Sequence, residues 1–462
     1  MAADIKKNDD FSKGPISKTV LRLAVPMVLA QFVNVLYNIV DRMYIGHISD
    51  TSVDALTGVG VTFPILLMVT AFANLFGSGG TPLFSMARGA AQQGGEEGEK
   101  QRERAADVMN NTFSMLVITG VILCIVVLLL KKPVLYLFGA SDATYPYADS
   151  YLSIYMLGSV FMMVSLGMNG FINAQGFANR GMLTVVIGAV VNIILDPMMI
   201  FGLLGCPAMG IRGAAIATVI GQLIGAAAAL WFNRVKNPVI HVRLKGYRFL
   251  WQDVADIYRV GLPTIVMQAI GSVMTFAVNG ILLGVSSTAV AFFGIYYKLQ
   301  NFLMMPVNGL GQAAIPVVGF NYGSGQSDRV KQAWKVLLPT GVVFALCGTA
   351  VFLLFPAQLL GLFSASDEML AFGVPALRII SVTFLFAVTT ILCGYFASGL
   401  GNGVVNMIGA ALRQLVVLVP CLWLLIRTMG IDRAWFAFWV SEVIACAYSL
   451  WATKKELRNK GK

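Results

Sequence analysis

The sequence predicts an all-α integral membrane protein of twelve transmembrane helices in two pseudo-symmetric six-helix halves. Three observations predict it: composition, the spacing of apolar runs, and an internal repeat. Of 462 residues, 57% are hydrophobic and only 12% charged, against about 25% charged in soluble domains. A bilayer-spanning helix takes about 20 apolar residues, so the chain can supply roughly a dozen. This excludes a soluble enzyme, a disordered protein and a nucleic-acid binder. The 47 glycines suit helices that pack closely or break within a membrane.

The spans are expected near 19–46, 53–82, 105–131, 148–176, 182–204, 210–233, 254–284, 287–315, 331–355, 370–398, 404–427 and 432–452. The first run is long and enters polar residues without a small-residue cleavage site, so it reads as an uncleaved span rather than a signal peptide. Lysines and arginines crowd alternate gaps: the N-terminal tail (Lys6, Lys7, Lys13, Lys18), the linker (Arg234, Lys236, Arg243, Lys245, Arg248) and the C-terminal tail (Lys454, Lys455, Arg458, Lys460, Lys462). The opposite gaps hold only Lys131, Lys132, Arg212, Arg427 and Arg433. This asymmetry orients the chain with both termini cytoplasmic and explains the net charge of +11 without a nucleic-acid partner. A cell-membrane location follows.

Leu-Phe-Gly-Ala-Ser-Asp at 137–142 returns as Leu-Phe-Ser-Ala-Ser-Asp at 362–367, and Pro26 with Gln31 returns as Pro263 with Gln268. The small-residue stretch Gly77–Gly94 returns as Gly309–Gln326. The expected organisation is a cytoplasmic tail 1–18, an N-lobe 19–233, a basic cytoplasmic linker 234–253, a C-lobe 254–452 and a basic tail 453–462. Parallel six-helix repeats are a signature of secondary transporters with a route between the halves.

Polar groups inside spans are costly and mark function. Gln31, Asn34, Asn38 and Asp41 form one stripe on the first span. Asn192 and Asp196 stand one turn apart on the fifth, before Pro197, and Thr218 and Gln222 one turn apart on the sixth. Helical rise places Asp41, Asp196 and Thr218 at a common depth in the outer half. Two carboxylates held close in low dielectric cannot both stay ionised cheaply, so the pair should take a proton or share a cation. Asn192 and Thr218 could also simply cross-link helices. Gln268 and Ser272 open a similar stripe on the seventh span that lacks a carboxylate; with Gln31, Asn34, Asn38, Met168 and Asn169 they are candidates for a substrate cavity. Pro26 is a candidate gating kink or a static bend. Glu442, with Trp435 and Trp439 on roughly its face, reads first as the partner of an arginine and second as another protonation site. Lys298, Arg378 and Arg413 read first as structural or snorkelling cations. His47 and His241 are too few for a histidine metal cluster, the six cysteines form no CxxC pair, and no HExxH or GxSxG motif supports an enzyme.

The sequence resembles the multidrug and toxic compound extrusion (MATE) antiporter family over nearly its whole length. The resemblance is carried by Pro26 and Asp41, Val-Asp-Arg-Met-Tyr-Ile-Gly at 40–46, Asn-Ile-Ile-Leu-Asp-Pro at 192–197, Gly-Ala-Ala-Ile-Ala-Thr at 213–218 and Gly-Phe-Asn-Tyr-Gly at 319–323. It implies two bundles forming a V-shaped cavity with alternating access, no cofactor, and amphipathic, mostly cationic small-molecule substrates handled by a monomer. It also implies a cation site at Asp41, Asn192, Asp196 and Thr218, as in the DinF-like branch, holding a proton or, as a metal site, sodium. The NorM-like pattern would need carboxylates within the seventh and tenth spans, where this sequence offers only residues at their ends, such as Asp367 and Glu368 at the outer loop. The alternative reading is a flippase for lipid-linked saccharides of the related superfamily, for which more spans and a cationic cavity are expected.

Overall fold

In hydrocarbon every backbone N–H and C=O must find a partner within the chain, so apolar runs of this length become helices. The computed structural model describes residues 10–48, 52–236, 240–242 and 249–460. Lys6, Lys7, Arg243, Lys245, Arg248 and Lys462 lie outside the described residues, as do the side chains of Lys236 and Lys460. Among the described residues eleven helices are long and apolar enough to span a bilayer, and one bent pair makes a twelfth candidate. They are α1 (Ile16–Gly46), α2 (Ser52–Ala90), α3 (Gly95–Leu137), α4 (Tyr145–Ala174), α5 (Ala178–Phe201) and α6 (Ile211–Trp231). Then come α7 (Trp251–Leu283), α8 (Ser287–Gly323), α9 (Ser327–Leu354), the pair α10a (Asp367–Ser381) and α10b (Phe384–Gly399), α11 (Gly403–Met429) and α12 (Ile431–Asn459).

The tenth span corrects the sequence expectation of one continuous helix over 370–398. It bends by 48° between α10a and α10b. Hydroxyls compete with the backbone here: Ser381 donates to the Arg378 carbonyl (3.1 Å) and Thr383 to the Ile380 carbonyl (2.7 Å). Thr349 of α9 donates to the Ser381 carbonyl at 2.8 Å, satisfying an oxygen at the break. Elsewhere helices outrun the apolar spans. α2, α3 and α8 each continue through polar or small residues that hydropathy alone excludes, because a helix persists in water once its apolar part is anchored.

The chain separates into two compact units, and two of the borders between them fall inside helices, α1 and α7. One unit comprises Leu29–Gly261 with Asp10; the other comprises Phe11–Val28 and Leu262–Lys462. The lobes expected from the internal repeat, 19–233 and 254–452 joined by a linker, are a different division of the chain. Small residues explain the difference. In the first unit Gly79 of α2 and Gly261 of α7 leave no room for a side chain: a Cβ on Gly79 would strike the Ile257 carbonyl, and one on Gly261 the Leu75 carbonyl. Arg104 adds ion pairs to Asp253 (3.9 Å) and Asp256 (3.6 Å) at the start of α7. In the second unit Gly309 of α8 admits Val28 of α1 in the same manner. There Phe11 is fully buried, its ring edge-on to Phe320 at 5.4 Å, and Arg329 donates to the Phe11 carbonyl at 2.9 Å and to Asn321 Oδ1 at 3.0 Å. Thus the Gly-Phe-Asn-Tyr-Gly segment, with Arg329, holds Phe11. Pro26 and Pro263 stand beside the two borders, each within its helix.

Candidate ion-coupling site

The site in the first unit is built on the α5–α6 hairpin. Gly202 ends α5 in the left-handed region (φ 75°), which a side chain would strain. The chain then returns with Met209 N–H donating to the Met199 carbonyl (2.9 Å) and Gly210 N–H to the Ile200 carbonyl (3.2 Å). Gly213 sits against the Met199 carbonyl, and Gly221 meets Gly188 and the Cβ of Asn192. These approaches bring the Thr218 face of α6 against the Asn192 face of α5. Pro197, inside α5, removes one backbone donor a residue after Asp196.

Asn192, Asp196 and Thr218 are all buried, at 2%, 0% and 7% exposure. The Asn192 amide donates to Asp196 Oδ1 at 3.2 Å and to Thr218 Oγ1 at 3.4 Å. The Thr218 hydroxyl spends its proton on the Ala214 carbonyl (2.9 Å), so toward Asn192 its oxygen acts as an acceptor. Asp41 enters from α1, its carboxyl in hydrogen-bonding contact with that of Asp196. Arg42 has its guanidinium 5.3 Å from the centre of the Phe63 ring and within electrostatic reach of Asp41.

Asp41 Oδ1, Asn192 Oδ1 and Asp196 Oδ2 are buried with no hydrogen-bond partner among the described residues. Each orphaned acceptor costs about 1–3 kcal/mol unless something positive or protic satisfies it. Two carboxyls in contact likewise need a proton or cation between them. The donor set is oxygen only, which suits a proton or a hard alkali cation and not a thiophilic metal. Among the described residues no three of His, Cys, Asp and Glu gather to hold a metal, so sodium would depend on the amide and hydroxyl oxygens as well.

Three tyrosines complete the surroundings, and the sequence reading missed all of them. Tyr37, Tyr151 and Tyr155 lie within electrostatic reach of Asp41. Tyr151 stacks on Tyr155 with centroids 6.0 Å apart, and Gln222 donates to the Tyr155 hydroxyl at 3.1 Å. Tyrosines in spans read as packing or interface anchors. The available signal was the one-turn spacing of Tyr151 and Tyr155, which matches that of Thr218 and Gln222.

The remaining candidates are dispersed. Gln31 is half-buried with Nε2 unpartnered, while Asn34 and Asn38 are exposed and Asn38 Nδ2 donates to the Asn34 carbonyl at 2.6 Å. Met168 is fully buried, and Asn169 Nδ2 donates to the Gly181 carbonyl (2.8 Å) and Thr184 Oγ1 (2.9 Å), tying α4 to α5. In the second unit Gln268 is half-buried and Ser272, exposed, donates to its carbonyl at 3.3 Å. Glu442 is paired with Arg413, Nε to Oε1 3.5 Å. Lys298 lies 6.0 Å from the centre of the Phe363 ring.

Thr218→Val is expected to weaken the site modestly without unfolding it. The change removes one acceptor of the Asn192 amide, worth about 1 kcal/mol. Ion-dependent protection of the purified protein against thermal unfolding should shrink, with the ion-free melting temperature moving by only a few degrees.

A multi-pass helical protein with a buried carboxylate site among its spans has the architecture of the membrane transporters. Comparison with known proteins is specific. The MatE family model matches residues 26–198 and 263–424, and the chain belongs to that family. It is similar to the multidrug export protein MepA of Staphylococcus haemolyticus (strain JCSC1435), 26% identical over 454 residues covering 97% of this chain and 96% of the relative. MepA of Staphylococcus aureus (strain MRSA252) is 24% identical over 440 residues, 95% and 93% of the two chains. Among solved structures, a multidrug resistance MATE transporter of the MOP superfamily in an outward-facing conformation superposes with a TM-score of 0.88 at 24% identity, covering 98% of each chain. A MOP superfamily transporter from Pyrococcus furiosus gives 0.87 at 24% identity, covering 99% of each. These two establish the fold. Members of the family need no cofactor.

Proposed function

We propose that this chain is a cation-coupled antiporter that exports amphipathic, mostly cationic organic compounds across the cell membrane. The observation that carries this reading is the convergence of Asp41, Asn192, Asp196 and Thr218, with three buried acceptor oxygens left unpartnered. The names of the relatives, multidrug export proteins matched over nearly the full chain, support the export role. Both termini are cytoplasmic in this reading, as the lysine and arginine asymmetry requires. Nothing comparable supports a flippase for lipid-linked saccharides, because the buried site of the first unit is acidic rather than cationic.

The residues divide the work. Asp41 and Asp196 exchange the coupling ion, whether proton or sodium. Asn192 fixes Asp196 by its amide and offers its own oxygen, and Thr218 offers a hydroxyl oxygen. Loading the carboxyls removes net negative charge from a dry site and favours a conformation with weak affinity for a cationic substrate; unloading toward the cytoplasm restores that affinity. Export is driven only because ion and substrate prefer different conformations. Pro26, which denies α1 a hydrogen bond, is the place where that helix bends.

The test is reconstitution into liposomes with a fluorescent organic cation, under an imposed proton gradient and then a sodium gradient. Movement driven by one gradient identifies the ion. Absence of gradient-driven movement across a broad panel of cations would overturn the reading.

A further inference from the structure

The second unit holds a buried charged pair that the ion-coupling site does not use. Glu442 on α12 and Arg413 on α11 have side chains 4% and 14% exposed and touch through one contact, Nε to Oε1 at 3.5 Å. Each partner is half used. Glu442 Oε2 is buried without a hydrogen-bond partner, and the terminal nitrogens of Arg413 form no hydrogen bond among the described residues. Arg413 sits in a π-helical turn, Leu412–Val416, which interrupts α11; such wide turns gather at functional sites.

The surroundings are aromatic. Trp435, Phe438 and Glu442 follow one face of α12, all buried, and Tyr296 of α8 meets Phe438 edge-on at 5.5 Å. Tyr296, Arg413 and Cys446 are the ionisable groups that face Glu442. The two halves of the chain differ here. Gly176, Asn179 and Pro197 recur at one constant offset as Gly399, Asn402 and Pro420, and that offset sets Leu415 and Val419 where Asn192 and Asp196 stand. The second unit therefore lacks the Asn–Asp pair at the corresponding positions and carries an acid–base pair at other positions.

Charge balance selects the ligand. A monocation that takes Glu442 leaves Arg413 buried and uncompensated, and an anion that takes Arg413 strands Glu442; either is strongly unfavourable in low dielectric. A molecule carrying both charges compensates both residues at once. We propose that Arg413 and Glu442 form a binding site for zwitterionic amphipathic compounds, with the ligand carboxylate on the terminal nitrogens of Arg413 and its ammonium on Oε2 of Glu442. The aromatic wall supplies the apolar and cation–π contacts that the ligand body needs. As a substrate site this rests on the export reading above.

The experiment measures binding of a zwitterionic rhodamine with a free carboxylate, and of its methyl ester, to the purified protein in detergent by fluorescence polarisation. In the unaltered protein the acid should bind more tightly than the ester. Arg413→Gln should weaken the acid about tenfold, the scale of one charged hydrogen bond, and leave the ester unchanged or tighter. Arg413→Gln with Glu442→Gln together strands no charge, keeps the protein folded, and should abolish the preference between the dyes. A preference unchanged in both variants, or two dyes weakened equally, overturns the proposal and leaves the pair a structural one. Gradient-driven export of a simple organic cation by the unaltered protein, measured in parallel, separates failure of this site from failure of the export reading.

Discussion

Asp41→Asn is expected to reduce gradient-driven export to the level of protein-free liposomes while the protein remains folded. Asparagine keeps the size of the side chain and replaces an exchangeable carboxyl by a permanently neutral amide. That amide can donate to Asp196, with which the Asp41 carboxyl is in contact, so the pair behaves as though always loaded. The first unit then cannot release an ion toward the cytoplasm, and the conformation with high substrate affinity loses its driving force. The control is thermal. Removing a buried charge whose Oδ1 lacks a partner should leave the melting temperature equal or higher, since neutral replacements of buried charges are often stabilising. Two measurements check it together: dye efflux from liposomes under a proton and then a sodium gradient, and melting in detergent. Coupled efflux that survives the substitution would remove Asp41 from the mechanism and leave the fold assignment standing.

Gly213→Leu is expected to have the second largest effect, through packing instead of charge. A Cβ at Gly213 would overlap the Met199 carbonyl and crowd the Ile200 nitrogen, both backbone atoms that cannot rotate away. α6 must therefore retreat from α5. Overpacking of this kind costs about 1–3 kcal/mol where neighbours can yield, and backbone neighbours yield least. The retreat also lengthens the contact between Asn192 and Thr218, already 3.4 Å. Folded yield and melting temperature should both fall, and any ion-dependent stabilisation should vanish in the protein that survives. Gly213→Ala should show the same direction at smaller size. An unaltered melting temperature would mean that the hairpin is not held by this approach.

Much of the molecule was legible because a membrane permits so few solutions. Backbone groups must pair internally, so a run of apolar residues such as 105–131 can only be a helix, and its order along the chain follows directly. The site was legible for the complementary reason. A carboxylate such as Asp196 in the middle of an apolar run is costly and therefore conspicuous, and Asn192 one turn earlier shares its face. Spacing within one helix is a local property, and sequence reports it well.

What escaped the sequence was whatever depends on which helix lies beside which. Hydropathy cannot see that Ser381 and Thr383 turn their hydroxyls inward and break the tenth span, because their partners are backbone carbonyls. Nor does it see that α1 and α7 are each shared between two compact units, since glycine contacts at Gly79, Gly261 and Gly309 are made by absent atoms. Tyr151 and Tyr155 drew no reading from the sequence; the fold set them beside Asp41 and Gln222. By itself the sequence determined the membrane, the order of some eleven or twelve spans and the costly polar residues, because each follows from solvation of a local segment. Only the tertiary structure decided which of those residues meet, since pairing across helices is set by close approach between distant parts of the chain.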